Sequence, residues 1–521
     1  MNENTINIKN HYPHILILIL GALIVSLSHT FLQYGIDGGL ILANKIVYPD
    51  TNSPMLFYYL NSWTAIHQIS YILIKLGVNV EDASKIIILG STIFFSFGVF
   101  LFSNSITQNK NLSIVISLLA ILIGKNFGDT DYPSLIYSEH TYGMVSLSLV
   151  TFSLGLFANK NLIPASAITI FLISIHPLIG LWMLAVNLFG FFFTKINRRE
   201  VFKGVSIGLF CIIISFIFFY TNSVEKTAYD HNLFLNYLDN WAGHRAITKV
   251  IHYDYLLKTF ILGILIFFFL QKKNILKNKD NSYFHIFVLL ISLTGSTILY
   301  LAYKIAPNYF PELIKIAMPT RFIMLHTFLG WPIIISLLYF FLKERFNKKI
   351  ILNIFLSFLL IVSLQNYKKV LDIKNSIIDA HTANQTYKTL DYLKKANFKG
   401  YILTSSKLTS KIFKKVEKPI LLHTDSMDFI PYHPYLANQF FNILNKIYKI
   451  NSSKPPVQNN PSLPDKYIKE LFENFNQLEW KEIKKEFNVH YVITPKDWNL
   501  DLDLILNDEI YNLYKLSLIH I

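Results

Sequence analysis

The stretch YGIDGGLILANKIVYPD (34–50) decides how this chain is read. It follows an apolar segment, His14 to Tyr34, long enough to cross a bilayer, which takes about 20 residues. Two aspartates then appear, Asp37 and Asp50, with no compensating cluster of basic residues. Acids at the exit of a first membrane span are either ordinary solvated loop residues or the working end of the protein. The rest of the sequence bears on that choice.

Of the 521 residues, 52% are hydrophobic, with 43 Phe and 30 Tyr, and only 16% are charged, against roughly 25% in a soluble domain. The mean hydropathy is +0.37. Apolar runs near the length of a span recur along the chain, the pattern of a polytopic α-helical membrane protein. The formal charge of +15 does not point to nucleic acid, because many of the Lys and Arg residues lie in short loops between spans, where topology accounts for them. The single cysteine, Cys211, sits in an apolar run, which excludes an intrachain disulfide and a cysteine-based metal site. The first span lacks a small-residue cleavage site and reads as a retained signal-anchor helix. No internal repeat suggests the halves of a secondary transporter.

Eleven spans are expected near 14–34, 84–104, 112–125, 141–158, 163–176, 178–194, 203–221, 256–270, 283–303, 321–342 and 350–365. The loops KINRREVFK (195–203), QKKNILKNKD (271–280) and KERFNKK (343–349) each carry four Lys or Arg, and the positive-inside rule places them in the cytoplasm. Alternation then puts the N-terminus inside, and residues 35–83, 126–140, 222–255, 304–320 and the tail from 366 outside. One apolar stretch, NSWTAIHQISYILIKLGV (61–78), would break the alternation if it crossed, and it contains His67, Gln68 and Lys75. It reads as an amphipathic helix in the outer interface; the alternative is a true span, with one later run not crossing.

The tail, 366–521, changes character. GYILTSS (400–406), KPILLHT (418–424), VHYVITP (489–495) and YNLYKLSL (511–518) read as strands. PYLANQFFNILNKIY (434–448) and PDKYIKELFENFNQLEWKEIKKEF (464–487) read as helical. The expected organisation is a membrane domain, 1–365, and a small extracytoplasmic α/β domain, 366–521.

The polar chemistry gathers in the outer loops. The first holds Asp37 and Asp50; the second, KNFGDTDYPSLIYSEHTYG (125–143), holds Asp129, Asp131, Glu139 and His140. DNWAGHRAITKVIHYDY (239–255) brings His244 and Arg245, AMPTRFIMLH (317–326) puts Arg321 at the start of a span, and ISIHPLIGLW (173–182) has His176 before a proline. Acids from the early loops and bases from the later ones would, if brought together, form a cavity suited to a lipid-phosphate-linked donor. The bases would bind the phosphate and stabilise the leaving group, and a carboxylate would take the proton of an attacking hydroxyl. Each residue also has a plainer role. Asp37 can cap the helix GLILANKIV, Asp50 can turn the chain, and Glu139 and His140 can serve a helix N-terminus. His176-Pro177 can end a span. The Asp129-x-Asp131 pair has the spacing to hold Mg²⁺ or Mn²⁺, though such pairs also arise by chance. Arg321 is the hardest to explain away, since an arginine entering a span needs a partner or a path to the interface.

This layout resembles the GT-C class of membrane glycosyltransferases, which includes oligosaccharyltransferases, protein O-mannosyltransferases and the lipid A aminoarabinose transferase. The shared architecture is a first span, a large outer loop with an interfacial helix, further spans and an outer C-terminal domain. IDGGLILAN lies where such enzymes carry a first-loop catalytic acid, and GDTDYP resembles their second-loop metal-binding D-x-D. The W-W-D type signature of oligosaccharyltransferases is absent from the tail, so transfer to a peptide sequon is not expected. The sequence is also similar to a family of bacterial polytopic membrane proteins of this architecture, whose activity is inferred from the fold. That similarity runs through EHTYG (139–143), HPLIGLW (176–182), GHR (243–245), MPTRF (318–322) and VHYVITP…EIYNLYKL.

The resemblance implies an integral inner-membrane glycosyltransferase of the bacterial cell envelope. It would move a sugar from a polyprenyl-phosphate donor to a glycan or lipid acceptor. Asp37 would be the catalytic base, Arg321 with Arg245 or His244 would bind the donor phosphate, and Asp129 and Asp131 would hold a metal where one is used. Asp50, Glu139, His140 and His176 are further cavity candidates. An O-antigen or capsule polymerase, or a lipid-linked glycan flippase, is the competing class. The polymerase would more often place its arginines in large loops between spans. The flippase would need polar groups at mid-span, where this chain offers little beyond His285 and His326.

Overall fold

The computed structural model describes residues 12–28, 35–50, 53–122, 141–224, 230–242, 253–273, 283–306, 309–311, 326–343, 345–365, 387–423, 426–457 and 463–516. Helices dominate. They run α1 Tyr12–Ser28, α2 Gly35–Leu42, α3 Pro54–Asn61, α4 Ala65–Lys75, α5 Val80–Thr107, α6 Lys110–Leu122, α7 Tyr142–Ala158, α8 Leu162–Ile175, α9 Pro177–Phe193 and α10 Arg198–Asn222. There follow α11 His231–Asn240, α12 Tyr253–Lys272, α13 Phe284–Ile305, α14 Gly330–Leu342 and α15 Lys348–Gln365. A helix therefore stands at each of the eleven expected span positions. Among the described residues, α5, α10 and α13 are long and apolar enough to cross a membrane, and α1, α6, α7, α8, α9 and α14 are shorter apolar helices. At about 1.5 Å per residue, the 28 residues of α5 reach about 42 Å.

Local chemistry sets where these helices begin. Asn79 accepts from the Asp82 N–H at 2.8 Å to open α5, and Thr141 accepts from the Met144 N–H at 3.4 Å to open α7, as N-caps do. Where α5 and α7 pack, a Cβ on Gly98 would run into the Thr151 and Phe152 backbone, and one on Gly155 into Gly98. The two backbones can approach this closely only because both positions lack a side chain. Buried hydroxyls tie neighbours together, for example Ser117 to the Ser96 carbonyl at 2.9 Å and Ser153 to the Ala165 carbonyl at 3.0 Å. In contrast α10 turns Phe202, Phe210, Ile213, Ile214 and Ile217 outward, a surface that suits lipid rather than water.

The stretch 61–78 forms α4, whose 11 residues span only about 16 Å and cannot cross a bilayer alone. Ile66, His67, Ser70 and Ile74 are buried, while Ile69, Ile72 and Leu76 are exposed. One face of α4 is thus packed inside the protein and the other, apolar face is exposed.

The tail contains α16 Lys388–Lys395, β1 Tyr401–Thr404, α17 Ser406–Val416, α18 Leu436–Lys446, α19 Asp465–Glu473, α20 Gln477–Phe487, β2 Val489–Pro495, β3 Asp503–Asn507 and β4 Tyr511–Lys515. Its sheet has the order β1-β2-β4-β3. β1 runs parallel to β2, and β4 is antiparallel to both β2 and β3.

Three details differ from the sequence reading. KPILLHT makes only one bridge, Ile402 opposite Ile420; the Ile402 N–H donates to Pro419 O at 3.0 Å and the Leu421 N–H to Ile402 O at 3.1 Å, and no ladder follows. The helical pattern 464–487 is two helices, because Asn476 and Glu479 form a capping box that starts α20 afresh. α16, α17 and β3 were not expected.

Two large cores result. One fills the space between the long helices. The other is shared: Ile36, Leu40, Tyr58 and Tyr59 from α2 and α3, with Tyr237 and Trp241 from α11 and its C-cap, pack with Ile412, Phe429, Tyr435 and Phe441 of the tail. Tyr58 stacks on Phe429 with ring centroids 3.4 Å apart, and the Trp241 indole N–H donates to Ser452 O at 2.6 Å. The segments 36–59 and 234–242 and the tail are folded around one another.

Candidate functional site

The glycines of the opening stretch place its acid. A Cβ on Gly38 would collide with the His67 ring, and one on Gly39 would lie 2.8 Å from Ser70 C and 2.9 Å from Tyr71 N. Bare glycines therefore let α2 lie directly on α4. Asp37, in the first turn of α2, benefits from the positive end of the helix and faces α3 and the tail.

Asp37 is 2% exposed. Its Oδ2 accepts a hydrogen bond from the Tyr59 hydroxyl at 3.1 Å. Its Oδ1 lies 3.8 Å from Nζ of Lys414 on α17, a residue equally enclosed. That gap is too long for a hydrogen bond, and among the described residues Oδ1 has no hydrogen-bond partner. Burial, the largest influence, pushes the Asp37 carboxyl above its usual pKa, while Lys414 and then the Tyr59 hydroxyl pull it back. The Tyr59 phenol is pushed well up, by burial first and then by the Asp37 charge, so it remains the donor.

Around this pair lie more polar groups. The Tyr48 hydroxyl is buried, and its ring meets Tyr401 edge-on at 6.0 Å. His67 packs 5.7 Å from the Tyr59 ring, and its Nε2 shares a 2.7 Å hydrogen bond with the Tyr142 hydroxyl. Tyr142 is the first residue of α7. The apolar surroundings of His67 hold its pKa down at about 3, so it is neutral at pH 7. His423 in the tail is likewise held at about 3, by burial and then by the Lys414 charge.

The remaining expected residues divide. Asp50 is at the exposed end of its segment, where it accepts from the Tyr401 hydroxyl at 3.2 Å; it ties the first loop to the tail. His176 links α8 to α9, with Pro177 as the first residue of α9, and the preceding Ile175 carbonyl accepts from the Thr64 hydroxyl at 3.0 Å. The span-ending turn thus anchors the start of α4. Asp129, Asp131, Glu139, His140, His244, Arg245 and Arg321 lie outside the described residues. Among the described residues no group of three or more His, Cys, Asp or Glu could hold a metal ion.

Sequence reasoning missed Lys414, Tyr59, His67, Tyr142 and His423 as neighbours of the acid. Lys414 gave no signal, being one of four lysines in SKLTSKIFKKV (406–416). Tyr59 had a weak one, a tyrosine pair in a helix shortly after the acid.

No protein family's sequence profile matches the chain, and no curated protein sequence does. Among solved structures, it is similar to the Archaeoglobus fulgidus oligosaccharyltransferase in its apo form, at 12% identity and a TM-score of 0.47, covering 93% of this chain and 70% of that one. The Archaeoglobus fulgidus oligosaccharyltransferase AglB, in complex with an inhibitory peptide and a dolichol-phosphate, gives 12% identity, a TM-score of 0.42 and the same coverage. Both TM-scores fall below 0.5, a loose likeness.

Proposed function

We propose that this chain is a GT-C-like integral membrane glycosyltransferase of the bacterial inner membrane, with eleven spans in residues 1–365 and its tail, 366–521, on the extracytoplasmic side. Its donor is a sugar on a polyprenyl phosphate, and its acceptor is a hydroxyl of an envelope glycan or lipid. The observation that carries this reading is the buried Asp37, held by Tyr59 and Lys414 in an outer loop beside a bundle of apolar helices. A carboxylate enclosed with one unpartnered oxygen is poised to take a proton.

In the proposed reaction the acceptor oxygen bonds to C1 of the donor sugar while its proton passes to Asp37 Oδ1. The bond from C1 to the phosphate oxygen breaks, and the electron pair leaves with the lipid phosphate. Arg321, with Arg245 or His244, is assigned to the phosphate charge on sequence grounds. Asp129 and Asp131 are assigned to Mg²⁺ or Mn²⁺ on the same grounds. Because Asp37 is closed off here, one of the elements packed over it must shift to admit the acceptor. The test is transfer of labelled sugar from a polyprenyl-phosphate donor by membranes carrying wild type or Asp37→Asn; equal rates refute the assignment.

A further inference from the structure

We infer that the tail domain is a working part of the site, through Lys414, a positioning residue that holds the Asp37 side chain in its ionised form and in one orientation. The inference rests on reading Asp37 as the base, and its experiment can fail separately from that reading.

Asp37 and Lys414 are 377 positions apart by their numbers, yet their charged atoms meet at 3.8 Å with both side chains out of water. Every other described group that faces the carboxylate is a poor source of positive charge. Tyr59 from α3 is a neutral donor on Oδ2. Tyr48, after α2, is a phenol whose pKa is pushed well up by burial first, then by Tyr401 and by the Asp37 charge. His67 from α4 is neutral, as is His423 beside Lys414. Tyr142 from α7 bonds His67, and Tyr401 from β1 bonds Asp50. Among the described groups, Lys414 alone supplies a cation to Asp37.

A buried carboxylate without a cation takes up a proton instead of remaining charged, and a protonated Asp37 cannot serve as a base. Lys414 opposes that outcome. It does so without a direct hydrogen bond to Oδ1, so the lone pairs that receive the proton stay open. The Tyr59 hydroxyl fixes the other oxygen by its hydrogen bond, and the Lys414 charge draws Oδ1 to its own side. The outer loop supplies the acid and the tail supplies the charge that keeps it active, which gives a physical reason for the core the two share.

The experiment reads the carboxyl directly. Full-length protein in detergent is titrated while its infrared carboxyl and carboxylate bands are recorded, and the Asp37 band is assigned by its loss in Asp37→Asn. Removing the charge with Lys414→Met should move the Asp37 titration to higher pH by about 1–3 units, the usual effect of a close opposite charge. Lys414→Arg should restore most of the wild-type position. Lys414→Gln, which keeps length and polarity, should shift the band as Met does and serves if Lys414→Met fails to fold. In turnover, the acid limb of the pH–rate profile should move with the band. Superimposable Asp37 titrations in wild type, Lys414→Met and Lys414→Gln would overturn the inference. A shifted titration together with full turnover by Asp37→Asn would uphold the Lys414–Asp37 coupling and refute the role of Asp37 as base.

Discussion

The Asp37–Lys414 pair can be measured as an energy without knowing the substrate. At 3.8 Å and an effective dielectric constant of about 20, Coulomb's law gives about 4 kcal/mol of attraction. Removing one partner leaves the other charged and buried, a loss of about 3–5 kcal/mol where the orphan stays ionised. Lys414→Met should fall at the lower end, because Asp37 can escape by protonation and still hold Tyr59. Asp37→Asn should cost more, since the buried Lys414 ammonium loses the carboxylate beside it and keeps its charge. The double variant Asp37→Asn/Lys414→Met removes both charges and should lose much less than the two single losses added together, leaving a coupling of about 2–4 kcal/mol. The assay is unfolding of detergent-solubilised full-length protein by sodium dodecyl sulfate, followed by fluorescence of its six tryptophans. Repeating it at low and high salt should leave the coupling nearly unchanged, since a buried pair is little screened. Single losses that add to within about 0.5 kcal/mol in the double variant, as independent sites do, would refute the reasoning.

The same assay checks two further expectations. Gly38→Ala drives a methyl into the His67 ring and should cost about 1–3 kcal/mol by overpacking; adding His67→Ala should recover part of that loss. His67 titrates in the unfolded chain near pH 6.5 but is held down at about 3 when folded. Its contribution is therefore fully present above pH 6.5 and is lost as pH falls toward 3, because only the unfolded chain then takes the proton. His67→Phe should flatten the fall in stability between pH 6.5 and 4, a window in which His423 contributes in the same direction.

Much of the fold was legible because membrane and strand patterns are repetitive. Apolar runs announced a helix at each expected position, and alternating segments announced β1, β2 and β4. The glycines of IDGGL were visible as a pair, but their purpose, seating α2 on α4 against His67 and Ser70, depends on a partner helix that the sequence does not name. KPILLHT misled because its apolar content reflects burial, not a ladder; it bridges at Ile420 alone. The capping box at Asn476 and Glu479 was present in the letters, yet the hydrophobic period continued across it and hid the break between α19 and α20. The site divides the same way. Asp37 stood out because an acid beside a span is unusual, and the structure places it in the shared core of loop and tail. Lys414 did not stand out, since a buried lysine and a solvated one are spelled alike and only the fold of the tail selects it. Asp50 illustrates the converse: an acid as conspicuous as Asp37 turns out to bind the Tyr401 hydroxyl and holds the chain in place.

The central claim is that Asp37 is the base of a transfer from a lipid-phosphate sugar. Its most direct measurement is the rate of label transfer from a polyprenyl-phosphate sugar to acceptor by membranes carrying equal amounts of wild type or Asp37→Asn, each shown to be folded. A general base contributes about 10²–10⁴-fold, so the variant should be slower by at least about a hundredfold at saturating donor. Wild-type transfer matched by Asp37→Asn would contradict the claim.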